Sequence, residues 1–406
     1  MIPVAEAIRI VTEQTTALTS ERIALAHARG RYLAEDVVAD SDLPPFDRSQ
    51  MDGYAVRASD TQTVPAKLRI VGESAAGRGW HQGMKVGEAV RIMTGAPVPA
   101  GADSVQQVEL TRELGGADGF AEVEIVEAVL PGRSIVRRGS EIKAGETVLR
   151  AGEQISAAAM AVLASFGYAQ INVVKRPRVA VLATASELEA IDQRPGRDQI
   201  RDSNNSSIGA YAELSGAIVE ALPLAGDDTA LLRRQIMEAA QRSDVIVTSG
   251  GVSVGVYDFT KPALRELGAE IFFERVALRP GKPTVFARLP TGTLFFGLPG
   301  NPISVSVTFN LFARTALLSL QGATETTLAE DWAVLAQGVK GAGERQNYLP
   351  ATLSTNSEGT LMAEPLKWGG SSDFIGFVRA TSLIIVPPGT ALLETGTRVR
   401  IVRLPV

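Results

Sequence analysis

The fold is decided by Asp244–Gly255, DVIVTSGGVSVG, and by a downstream counterpart at Thr293–Ser304, TLFFGLPGNPIS. Each reads as an apolar strand, a sharp Gly-rich turn, and a helix that opens on small polar residues. A strand ending in glycines under a helix N-terminus leaves backbone N–H groups pointed at one spot, which suits an oxyanion. In the first copy Gly250, Gly251 and Gly255 allow a tight turn, while Ser249 and Ser253 offer hydroxyls. The plainer reading is a strand-to-helix turn with no ligand. Asp258 follows, either as a helix N-cap or as a carboxylate that a cation would bridge to a phosphate. In the second copy Asn301 and Pro302 fit the N-cap and first helical positions, because proline lacks an N–H that would be orphaned there. Pro299 and Pro302 stiffen the turn, and Ser304 lies in the first helical turn. Between the copies, Arg279-Pro280-Gly281-Lys282 sets two cationic side chains on a tight turn.

Working outward, strands are expected at 178–184, 217–224, 244–249, 269–275, 284–289 and 293–298. Helices are expected at about 204–216, 228–242, 259–268 and 302–320. Alternation of this kind with near-continuous apolar strands predicts a parallel sheet covered on both faces. Ligands of such sheets bind off the C-terminal strand ends, where both Gly-rich loops fall. Upstream, Val4, Ala7, Ile8 and Val11 have helical spacing over residues 4–18. Residues 41–139 are short β-like runs separated by turns rich in Gly, Pro and Asp, and helical texture resumes at Gln154–Gly167. From about 325 the pattern returns to β alternation, as in Thr397–Pro405, and predicts a small barrel or sandwich. The expected domains are therefore 1–40 with 140–174, an inserted 41–139, 175–324 and 325–406.

With 406 residues, 45% hydrophobic and 21% charged, the chain reads as an ordinary globular protein of about three domains at roughly 150 residues each. The net charge of −5 and pI near 5.4 argue against a nucleic-acid partner. No basic, apolar leader and no run approaching ~20 apolar residues is visible, so the expectation is a cytoplasmic protein without a membrane span. Cysteine is absent, and histidine occurs only at 27 and 81. That leaves carboxylates, hydroxyls, Lys, Arg, backbone amides and a hard cation such as Mg²⁺ for any chemistry.

Other strings are weak alone. Met51–Tyr54 and Arg91–Pro99 read as turns of the β-rich segment, Glu187 as a helix start, and Asp227-Asp228 as a helix cap. Arg345 and Ser371 look like surface residues, and Ser371-Ser372-Asp373 like a flexible loop. Together, however, PPFDRSQMDGYAV, RIMTGAPVP, IRDSN, DVIVTSGGVSVGVYDFTK, RPGKP and GLPGNPIS resemble the MoeA family of molybdopterin molybdenumtransferases, to which the E domain of gephyrin also belongs. The strings keep the family's order from residue 44 to 304.

The resemblance implies an α/β multidomain protein. A molybdopterin-binding α/β domain with a central parallel sheet would join an elongated helical domain, an inserted β domain and a C-terminal β-barrel-like domain. It implies a homodimer that inserts molybdenum from molybdate into adenylylated molybdopterin and releases AMP with a divalent cation. By motif, Asp258, Asp227 and Glu187 carry the carboxylates of catalysis, with Asp258 and Asp227 as candidate ligands of Mg²⁺. Arg279 and Lys282 match basic residues for pyrophosphate or molybdate, and Ser304, Arg345 and Ser371 an oxyanion pocket. Asp52 and Thr94 would mark the inserted domain of a partner subunit facing the cleft. Further partners would be a molybdopterin adenylyltransferase and recipient molybdoenzymes.

The chain departs from the family pattern at Ala185-Ser186, where Gly-Asp is usual, and at Arg275 and Arg279, where Lys is frequent. Arg keeps the charge but bonds in a planar fork. The competing readings are a molybdopterin adenylyltransferase, which needs neither the inserted β module nor the C-terminal β segment, and a gephyrin-like scaffold.

Overall fold

The computed structural model describes residues 1–115, 121–225, 228–252, 259–367 and 369–405. These fall into two compact units. One comprises Met1–Glu35, Ala151–Met160 and Gln170–Val406; the other comprises Asp36–Arg150 and Ala161–Ala169.

The larger unit is organised around a six-stranded sheet. Its strands are β1 (Arg178–Ala183), β2 (Ile218–Ala221), β3 (Val245–Ser249), β4 (Glu270–Phe273), β5 (Val285–Arg288) and β6 (Leu294–Leu298), in the order β2-β1-β3-β6-β5-β4. Val245–Ser249 and Leu294–Leu298 are buried at every position. The reason is that both faces are covered. Val179, Val181, Val245, Val247 and Phe296 join one core with the helices Asn204–Leu214 and Pro302–Leu320. Ala180, Leu182, Ile246 and Phe295 join a second core with the helices Thr229–Ala240 and Thr260–Glu266.

The four strands β2, β1, β3 and β6 run parallel, as expected. The expectation of a wholly parallel sheet fails at its edge, where β5 is antiparallel to both β6 and β4. Only Leu289–Thr293 separate β5 from β6, too few residues for the crossover that a parallel pair requires. The registers of the central strands are level: Ala183 pairs with Ser249, and Ser249 with Leu298. The residues after these strands, Thr184, Gly250 and Pro299, therefore emerge side by side at one end of the sheet.

The N-terminal helix spans Val4–Glu13 and buries Val4, Ala7 and Val11. It stops short of the expected residue 18 because the backbone changes direction there, and the Leu18 N–H donates to the Leu320 carbonyl. The helical run Pro302–Leu320 is long and apolar enough to cross a membrane, but 89% of its apolar window is buried inside the protein, which makes it a core helix.

After this run come β7 (Glu330–Leu335), β8 (Gln346–Thr355), β9 (Leu361–Pro365), β10 (Ser382–Val386) and β11 (Arg398–Arg403). The pairings β8–β9, β9–β7, β7–β11, β11–β10 and β10–β8 close on themselves. Between a barrel and a sandwich the structure selects the barrel. Closure leaves no free sheet edge. Leu278–Arg279 add to β8 as a short parallel partner of Gln346–Asn347, so the basic turn is fastened to the barrel.

The second unit holds a six-stranded sheet built from Gly53–Val56, Ala66–Ser74, Glu88–Ile92, Ser104–Gln107, Thr111–Leu114 and Glu122–Ile125. Tyr54, Val56, Val123 and Ile125 form part of its core.

Candidate active site

Two cavities lie at the end of the sheet where the Gly-rich loops emerge. The first, of about 1070 Å³, is lined by the Thr184–Leu188 segment, Asn204, Ser249–Val252, Pro299–Pro302 and Phe374, among others. Gly250 sits there at φ +93°, and a Cβ at this position would lie 2.1 Å from the Thr184 carbonyl oxygen. Only glycine lets β3 turn this sharply beside β1.

The two loops are tied by one buried side chain. Asn204 Nδ2 donates to Ser249 Oγ and to the Gly300 carbonyl, both at 2.7 Å. The Gly300 carbonyl can only accept, which fixes the orientation of the amide. The Ser249 hydroxyl in turn donates to the Pro299 carbonyl at 3.4 Å. Ser249 thus holds the loops together, and the Gly250 N–H donates to the Leu298 carbonyl. These two groups are engaged within the protein, against the expectation that they stand free for a ligand.

Glu187 lines the same cavity. It does not start a helix, as expected, but precedes a short strand, Leu188–Glu189, paired with Ile200–Arg201. Asp202, whose N–H donates to the Glu189 carbonyl, is buried, and desolvation raises its carboxyl above the ordinary range despite hydrogen bonds from the Asn205 and Asn204 backbone.

The second cavity, of about 870 Å³, adjoins the first through Pro283, Pro299 and Asn301, which line both. Among the described residues five cationic side chains line it, Arg275, Arg279, Lys282, Lys340 and Arg345, and no carboxylate does. None of the five is paired with a carboxylate among the described residues. Such a set, left without counter-charge, attracts anions.

The geometry of this cavity follows from packing. Gly281 has φ +117°, and a Cβ there would approach Thr308 Cγ2 to 2.4 Å. The basic turn can therefore press against the helix that Pro302 opens. Arg345 reaches it from the barrel and donates from Nη1 to the Leu278 carbonyl at 3.4 Å.

Ser304, 3% exposed, and Ser371 add hydroxyls to the basic cavity. Asn301 is the N-cap residue and Pro302 the first helical residue, as expected, yet the Asn301 side chain does not cap its own helix. It donates from Nδ2 to Ser371 Oγ at 2.8 Å, while the Ile303 N–H donates to the Ser371 carbonyl. The loop read as flexible is thus held at the helix N-terminus. Asp373 also secures it, accepting from the Gly369 and Gly376 N–H groups; these two bonds hold its carboxyl below the ordinary range.

In the other unit, Asp52 Oδ1 accepts from the Thr94 N–H at 2.7 Å and from Thr94 Oγ1 at 2.9 Å. These bonds, the backbone one first, lower the Asp52 carboxyl. The bonds tie together, across 42 residues of sequence, the two strings expected to face a partner subunit's cleft.

Ser253, Asp227 and Asp258 lie outside the described residues. Asp228 is the helix N-cap, accepting from the Ala230 and Leu231 N–H groups. Among the described residues no group of three or more His, Asp or Glu side chains is placed to hold a cation.

Sequence reasoning did not single out Asn204, Lys340 or Asn347 as site residues. Asn204 sat inside IRDSN without a role of its own, and Lys340 carries no local motif.

Comparison with known proteins agrees with this architecture. Residues 2–167 match the family described as MoeA N-terminal region (domain I and II), 180–319 a probable molybdopterin binding domain, and 333–404 the MoeA C-terminal region (domain IV). A relative from Staphylococcus aureus named molybdopterin molybdenumtransferase is 35% identical over 99% of this chain and 95% of its own length. A Bacillus subtilis protein of the same name is 34% identical, covering 98% and 93%. The crystal structure of a molybdopterin biosynthesis MoeA protein from Pyrococcus horikoshii superposes with a TM-score of 0.85 at 25% identity, covering 100% of both chains. With a sheet, a barrel and loops in the family's arrangement, and relatives that match along its whole length, this chain belongs to the MoeA family.

Proposed function

We propose that this protein is a molybdopterin molybdenumtransferase of molybdenum cofactor biosynthesis, transferring molybdenum from molybdate to adenylylated molybdopterin with release of AMP. The observation that carries the reading is the pair of adjoining cavities. One is lined by the Gly-rich loops at the strand ends, and the other presents, among the described residues, five cations and no carboxylate.

Molybdate is a tetrahedral dianion. Arg279, Lys282 and Arg345 supply charge for it, and Ser304 and Ser371 supply hydroxyl donors; bonds of this kind, with a charged partner, are the stronger class. The Gly-loop cavity takes the adenylylated pterin, with Gly250 and Gly251 letting the backbone approach the phosphates. Pro299 and Asn301, in the shared wall, bring the dithiolene end of one substrate to the oxyanion of the other. The residues thus position two anions that repel in water.

Four domains with the boundaries 1–40 with 140–174, 41–139, 175–324 and 325–406 fit the texture of the sequence. A homodimer would bring Asp52 and Thr94 to the cleft of the partner subunit. The reaction calls for a divalent cation, Mg²⁺ by our reading, with Asp258 and Asp227 as ligands by motif. The cytoplasm is the expected compartment, and a molybdopterin adenylyltransferase and molybdoenzymes are the expected neighbours in the pathway.

The test is substrate choice. Purified protein given adenylylated molybdopterin, molybdate and Mg²⁺ is expected to release AMP and form the molybdenum cofactor. Nucleotide turnover only with ATP and free molybdopterin would make the protein an adenylyltransferase instead.

A further inference from the structure

Phe374 opens a helical turn, Phe374–Phe377, at the end of the loop that carries Ser371. The loop alternates between the two cavities: Gly369–Ser371 line the basic one, and Ser372 and Phe374 line the Gly-loop one. Phe374 is the sole aromatic side chain among the described residues lining that cavity.

Phe377, one turn on, is 9% exposed and belongs to the main core, whereas Phe374 is 49% exposed. Among the described residues Phe374 makes no ring contact. The loop is anchored without it, by the Asn301–Ser371 bond, the Ile303–Ser371 bond and the two bonds to Asp373. A large apolar ring, half exposed, is therefore held in the wall of the Gly-loop cavity, on a loop that these hydrogen bonds anchor.

We infer that Phe374 is a specificity-determining residue that stacks on the planar nitrogen heterocycle, adenine or pterin, of the ligand in the Gly-loop cavity. The inference rests on the reading that this cavity takes an adenylylated pterin. Stacking suits the site because a π face recognises a flat ring without hydrogen-bond partners, and base–aromatic stacking is a sizeable contribution to binding. Since Ser371 and Phe374 share one loop, the ring is positioned by the same hydrogen bonds that hold the oxyanion pocket.

The experiment uses the full chain as wild type, Phe374→Leu and Phe374→Tyr. Calorimetry measures AMP, 6-carboxypterin, ribose 5-phosphate and molybdate on each. In Phe374→Leu at least one of AMP and 6-carboxypterin is expected to bind roughly tenfold more weakly. Ribose 5-phosphate and molybdate should be unchanged, and Phe374→Tyr should keep the wild-type affinities. Whichever ring loses affinity identifies the stacked partner. Unchanged binding of both rings in Phe374→Leu would overturn the inference, as would failure of the wild type to bind either ring. Equal weakening of AMP and ribose 5-phosphate would also overturn it, because the sugar phosphate has no ring to stack. Failure of the wild type to release AMP from adenylylated molybdopterin would count against the proposed function instead, since a ring-selective loss in Phe374→Leu can be read without turnover.

Discussion

Asn301 Nδ2 donates to Ser371 Oγ across 2.8 Å, joining the start of a core helix to a loop that follows the barrel strand β9. The bond forms one corner of the basic cavity and sets the Ser371 hydroxyl beside Ser304 and the cationic side chains. A position 70 residues away in sequence thereby becomes part of the helix N-terminus.

Removing either partner should weaken anion binding with little loss of fold. Ser371→Ala deletes a donor to a charged ligand, a bond worth about 1.5–3 kcal/mol, so molybdate affinity should fall roughly 10- to 100-fold. Asn301→Ala should show a smaller loss, because it frees the serine without removing it. Equilibrium dialysis with molybdate checks both; wild-type affinity in Ser371→Ala would take that hydroxyl out of the pocket.

Asn204 makes a different kind of prediction. Its amide bridges Ser249 and Gly300 in the interior, so Asn204→Ala leaves buried groups without partners. The expected destabilisation is about 1–3 kcal/mol, read from urea unfolding. AMP binding should weaken as the two Gly-rich loops separate. Unchanged stability together with unchanged AMP affinity would mean that the bridge is dispensable.

The Asp373 loop should respond to acid. Two N–H donors hold the Asp373 carboxyl below its ordinary value of 3.8, so the unfolded chain takes up the proton first as pH falls. The stabilisation is complete above 3.8 and is lost as pH drops through the lower folded value. The melting-temperature advantage of wild type over Asp373→Asn should therefore hold from neutral pH down to that range and shrink below it. A difference that stayed constant under acid would refute this assignment.

From the sequence motif alone, Asp258→Ala should abolish turnover while leaving the circular dichroism spectrum and melting temperature near those of the wild type. Full activity in that variant would remove Asp258 from the mechanism.

Much of the fold was legible before the structure because it is local. The strands β1 to β6 and their helices follow from apolar runs, glycine turns and caps such as Asp228, all readable within a dozen residues. The antiparallel edge was missed because the apolar pattern of a doubly covered strand carries no direction. The short Leu289–Thr293 link held the relevant signal. Barrel closure and the meeting of Lys340 and Arg345 with Arg279 depend on strand pairing across long stretches of chain, which no local pattern encodes. The part played by Asn204 was hidden for the same reason: its partners Ser249 and Gly300 lie far along the chain.

The central claim is that the two adjoining cavities hold the two substrates of one transfer. A single-turnover experiment with enzyme-bound adenylylated molybdopterin and isotopically labelled molybdate tests it most directly, by counting AMP released and molybdenum retained on the pterin. One AMP is expected per molybdenum incorporated, with both lost together in Ser371→Ala at limiting molybdate. AMP released at the same rate with or without molybdate, and no molybdenum on the pterin, would contradict it.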